Sequence, residues 1–103
     1  MSILKKLEEN LQILLTSIND EESIEKILEN QQNFTRVIED AMEAFQKGNI
    51  KVDVSQALPK VMYGWAVNEL PNEIKNPEKH ARVKNQLILF MNTIENILRP
   101  EEC

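Results

Sequence analysis

Three stretches of the chain place apolar residues at alternating steps of three and four. The first is Leu4, Leu7, Leu11, Leu14, Ile18; the second is Ile24, Ile27, Gln31, Phe34, Ile38, Ala41, Phe45; the third is Leu87, Met91, Ile94, Leu98. Such steps return to the same side of a helix that turns every 3.6 residues, so each stretch is expected to form a helix with one sheltered face. Phe34, Ile38 and Phe45 keep the register set by Ile24 and Ile27. The polar run Asn30-Gln31-Gln32-Asn33 is therefore expected inside one continuous helix, with Gln31 on its seam.

The breaks between stripes carry end signals. Ser2 can cap a first helix running to about Ile18. Asn19 and Glu22 have capping-box spacing, which predicts a second helix from about Asp20 to Lys47. Gly48-Asn49 reads as a left-handed end to it. Ile50-Lys51-Val52-Asp53-Val54 alternates strictly, but five residues make no sheet alone, and an extended connection is expected there. A short third helix follows, from Pro59 to Leu70, or from a turn earlier at Asp53 or Ser55, and Pro71-Asn72 ends it. Asn76-Pro77-Glu78 supplies cap, first-turn proline and first-turn acid for a last helix ending before Pro100. Three long helices and one short one with short connections predict an all-α antiparallel four-helix bundle without a sheet, as one domain over 1–103. Its core should hold Leu7, Leu11, Leu14, Ile27, Phe34, Ile38, Phe45, Leu87, Met91 and Ile94.

Composition narrows the function classes. The 103 residues support one core, and only two Gly and four Pro favour a few long helices over many strands. A net charge of -5 with dispersed basic residues argues against nucleic acid as partner. The longest apolar run, Leu87 to Met91, is far short of the ~20 residues that cross a bilayer, so no membrane role is expected. From the charged, amphipathic start no secretory signal is expected. Cys103 is the lone cysteine and pairs with nothing inside the chain, which points to the cytosol. Nine Lys against three Arg, with many Ile and Asn, suggest a low-GC bacterium or its phage.

Glu21-Glu22-Ser23-Ile24-Glu25 resembles the first half of the E-E-x-x-E signature of the all-helical MazG-like nucleotide pyrophosphohydrolases. The resemblance covers five residues. It implies carboxylates from two antiparallel helices holding Mg²⁺ against a phosphate substrate. The E-x-x-D half of that signature is missing, and Asp40-x-x-Glu43 stands there in reversed order. On one continuous helix Glu25 and Asp40 lie roughly 22 Å apart at ~1.5 Å per residue, too far to share a metal. The acids are expected instead to complement a helix dipole and solvate a surface, leaving a Mg-dependent hydrolase as the alternative reading.

Other candidates lack partners in sequence. His80 has no second ligand at metal spacing and reads as a surface histidine, so neither metal nor cofactor is expected. Glu101 and Glu102 disfavour a Cys103 thiolate. Lys75, Lys79, His80, Arg82 and Lys84 form the one basic cluster, expected to be a solvated face paired with the acidic start of the second helix.

The third helix is the segment that departs from an ordinary amphipathic pattern. Leu58, Val61, Met62, Tyr63, Trp65, Ala66, Val67 and Leu70 leave a polar stripe of only Lys60, Gly64 and Asn68. A helix apolar nearly all round must be covered on more than one side, and four helices of this length scarcely surround one of their own number. Met62, Tyr63, Trp65, Val67 and Leu70 are therefore the expected protein interface, with Tyr and Trp as anchors. The competing reading puts Tyr63 and Trp65 in the core of the monomer. Gly64, costing roughly 1 kcal/mol relative to Ala in a helix, marks a kink or a close backbone approach. Ile13 and Leu89 should add apolar surface on the wet faces of their helices. The function expected is non-enzymatic: a small helical adaptor, inhibitor, immunity or regulatory protein that binds another protein or a second copy of itself.

Overall fold

A computed structural model of the chain describes residues 3–47 and 57–98. Of the described residues 91% are helical and none is in a strand. The elements are α1 (Ile3–Asn19), α2 (Ile24–Gln46), α3 (Ala57–Asn68), α4 (Leu70–Ile74) and α5 (His80–Leu98), with a 3₁₀ turn over Pro77–Lys79 leading into α5. They form an antiparallel all-α bundle. The expected Ser2 cap, the Gly48-Asn49 ending and the alternating run Ile50–Val54 lie outside the described residues, as does Cys103.

The stripes became the core. All five residues of the first stripe are buried, and Ile27, Gln31, Phe34, Ile38, Ala41 and Phe45 of the second are buried against them. α2 runs unbroken through Asn30 to Asn33. On α5 the inner face differs from the expected one. Val83, Leu87, Phe90 and Ile94 are buried, whereas Met91 is half-buried at the edge. Because Leu87 to Met91 is apolar throughout, the local pattern fits either face, and the neighbouring helices decide.

Helix ends correct the sequence reading at two places, the start of α2 and Pro71. α1 closes with Glu22 N–H donating to the Ser17 carbonyl at 3.1 Å, and Glu21 takes a left-handed φ of 53° in that turn. α2 then begins later than expected, capped by Ser23, whose Oγ accepts from Lys26 N–H at 3.2 Å. Ser23 does what Asn19 was expected to do, since a side-chain oxygen at the N-cap answers a backbone donor of the first turn. Pro71 does not simply end the third helix. It sits in the first turn of α4, where the missing N–H costs nothing, and starts that helix after Glu69. The Asn76 signal worked as expected: its Oδ1 accepts from Glu78 N–H at 3.2 Å, and Pro77 opens the 3₁₀ turn.

α1 packs against α2 and α5, α2 packs against α3, and α4 bridges α2, α3 and α5. α3 and α5 have no direct backbone approach; no Cα pair between them lies within 8 Å. Their gap is spanned by side chains. The Trp65 and Phe90 rings meet edge to face, with centroids 5.6 Å apart and planes at 63°. At ~8–10 Å between axes helices interlock through ridges and grooves, but a wider gap needs aromatic side chains to fill it.

Candidate protein-binding surface

α3 is placed by one buried polar contact and a small apolar face. Pro59, Met62 and Ala66 point inward and are buried. The Gln31 side-chain amide, itself buried on α2, donates to the Ala66 carbonyl at 2.9 Å. Ala66 belongs to the last turn of α3, whose carbonyls have run out of intrahelical donors, so Gln31 answers a real need.

With 100° between successive residues, the rest of α3 is distributed around that inner face. Leu58 and Trp65 occupy the flank toward α5, and Val61 lies just outside them. Tyr63 occupies the opposite flank, with Val67 outside it. Leu58, Tyr63 and Trp65 are half-buried against the core, while Val61 is 59% and Val67 44% exposed. Of the five expected interface residues, Met62 and Leu70 are wholly buried within the chain. Tyr63 and Trp65 are divided between core and surface on opposite flanks, and Val67 faces outward. The apolar excess read from the sequence is therefore real but split. Half of it fills the monomer core.

Gly64 lies on the outward side between those flanks. A Cβ built there meets nothing within 4 Å among the described residues, and α3 continues through it, so no close approach among those residues explains it. Ile13 and Leu89 are 51% and 59% exposed on their helices.

Beside Tyr63 an open groove of 410 Å³ runs between α3 and the C-terminal half of α2, lined by Glu39, Met42, Glu43, Gln46 and Tyr63. Sequence reasoning passed over the α2 side of this groove. Its one signal was Met42, an apolar residue off the buried stripe with carboxylates at Glu39 and Glu43. Nothing local says that α3 is the helix lying beside it. Glu43 forms an ion pair with Lys47, Nζ to Oε1 2.7 Å. The hydrogen bond to Lys47, and then the Lys47 charge, hold the Glu43 carboxyl below its ordinary range and raise the lysine.

The remaining candidates disperse. Glu25 and Asp40 lie on the same unbroken helix, so the roughly 22 Å between them stands, from ~1.5 Å of rise per residue. Among the described residues no three of His, Cys, Asp and Glu come together as metal ligands. His80 is not a free surface histidine. It is part-buried, and its Nε2 lies 2.7 Å from the Ile74 carbonyl, tying the first residue of α5 to the last of α4. A carbonyl only accepts, so that nitrogen is the donor. Among the described residues no ion pair joins Lys75, Lys79, Arg82 or Lys84 to the acidic start of α2; the pairs Lys5–Glu8, Lys26–Glu29 and Lys47–Glu43 each stay within one helical turn.

No described helix is long and apolar enough to cross a membrane. Comparison with protein-family models, curated proteins and solved structures finds no match to this chain.

Proposed function

We propose that this protein is a small cytosolic binding module that docks another protein, or a second copy of itself, on the outward flanks of α3, and that it works by association and not by catalysis. The observation that supports this reading is the placement of Val61 and Val67. Single exposed apolar residues are ordinary on protein surfaces. Two on one twelve-residue helix, each beside a half-buried aromatic, make a set of anchors of the kind that dominate interfaces. Tyr63, Trp65 and Val67 are the accessible members; Met62 and Leu70 hold α3 in place from beneath.

The test pairs association with folding. Sedimentation of the purified chain reports self-association, and capture from a low-GC bacterial host with mass spectrometry reports a foreign partner. Val67→Asp and Val61→Asp should abolish the association found while leaving the thermal melt nearly unchanged, because both side chains already face water. An association unaffected by either substitution, or a chain that stays monomeric and captures nothing, would remove α3 as the binding element.

A further inference from the structure

We propose that the groove between α2 and α3 receives a cationic amphipathic helix from a partner protein, with an apolar side chain against Met42 and Tyr63 and a lysine or arginine between Glu39 and Glu43. The proposal rests on the binding reading above and names the partner's chemistry. Both ionisable groups lining the groove, apart from the Tyr63 phenol, are carboxylates. They stand one turn apart on α2, a spacing at which like charges repel. Glu43 also falls in the last turn of α2, where the helix dipole disfavours an anion. Lys47 answers only part of this, because it reaches Glu43 alone and both side chains of the pair are about 60% exposed. Exposed pairs of that kind contribute little and exchange readily for another cation. Glu39 has no ion pair among the described residues. Two exposed carboxylates, only one of them paired among the described residues, beside a methionine and a tyrosine suit a guest of opposite charge. The distance from Glu39 to Gln46, about 10 Å at ~1.5 Å per residue, matches two turns of a docked helix and its i, i+4 anchors. Met42, flexible and polarisable, can adapt to the shape of that anchor.

The probe is a fluorescein-labelled, helix-forming peptide of leucine, alanine and lysine, leucines at i and i+4, read by anisotropy against the full chain. A twin with glutamine for every lysine is the control. The lysine peptide should bind at least tenfold more tightly than its twin. Glu39→Gln with Glu43→Gln, and separately Tyr63→Ser, should each weaken it tenfold or more. Glu9→Gln with Glu25→Gln removes the same charge elsewhere on exposed positions and should change binding less than twofold. Equal losses in the two charge variants would reduce the effect to net charge and overturn the proposal, as would no binding of the lysine peptide. Equal binding of both peptides, abolished by Tyr63→Ser, would overturn the cationic preference and leave the α3 binding reading standing. Circular dichroism of each variant excludes unfolding as the cause.

Discussion

The side-chain amide of Gln31 on α2 donates to the backbone carbonyl of Ala66 on α3 across 2.9 Å of buried interface. It is a polar contact inside an apolar seam, and it joins the two helices that carry the candidate surface. An amide in this place is more specific than a leucine, because it needs an acceptor opposite it and the last turn of α3 supplies one.

Gln31→Leu keeps the apolar volume but strands the Ala66 carbonyl without its donor. Leaving a buried acceptor unsatisfied costs about 1–3 kcal/mol. A urea melt should show the midpoint falling by that equivalent with an unchanged slope. A neutral or stabilised variant would show that the carbonyl finds another donor.

Trp65 is the chain's single tryptophan, and with Phe90 it fills the gap between α3 and α5. Trp65→Ala should cost about 3 kcal/mol of folding stability, the low end for aromatic truncation because the ring is only half-buried. Trp65→Phe should recover most of it by keeping a ring against Phe90. Phe90→Ala should shift the wild-type tryptophan emission to the red, which is a direct check of the ring contact.

Glu73 on α4 is 7% exposed, and its Oε1 has no hydrogen-bond partner among the described residues. A buried carboxylate oxygen without a partner is a net cost to the fold. Glu73→Met, which keeps the volume and removes the polar atoms, should therefore stabilise the protein, by about 1 kcal/mol on the scale of unsatisfied buried groups. A thermal melt lowered by this substitution would show that the carboxylate makes a contact worth keeping.

Gly64→Ala should raise stability by up to about 1 kcal/mol, since the new methyl has open space and a helix prefers Ala to Gly by that amount. The same variant in the association assay separates two roles. Weakened binding with a firmer fold would place a partner's backbone against Gly64, while unchanged binding would leave the glycine unexplained by either fold or partner.

Glu43 should titrate below the ordinary carboxylate range, and Lys47→Met should bring it back up. The sign follows from the direction of the shift. A lowered folded-state pKa gives a contribution present above the unfolded value and lost as pH falls through the folded one. Lys47, shifted upward, contributes below its unfolded value and loses that contribution as pH rises through the folded one. Carbon-detected NMR titration of the two side chains reads both directions.

What the sequence determined is the three long helices, the short α3, and the buried faces of α1 and α2; the five-residue α4 and the inner face of α5 were left to the packing. A repeat of three and four is a local property of a 3.6-residue helix, so Leu4 through Ile18 and Ile27 through Phe45 announced their inner faces without any neighbour. Even Gln31 showed its place by sitting in that register. Where several adjacent residues were equally apolar, the local pattern had nothing to choose with. Phe90 took the core position expected of Met91, and α3 turned Met62 inward and Val67 outward, because the neighbouring helices settled which face was covered. The ends went the same way: Asn19 and Ser23 both fit a cap, and the turn out of α1, with Glu21 in the left-handed region, brought Ser23 to the Lys26 N–H in the first turn of α2. The groove beside Tyr63 belongs wholly to the tertiary structure, since its two walls are about twenty residues apart and meet only when α3 docks along α2.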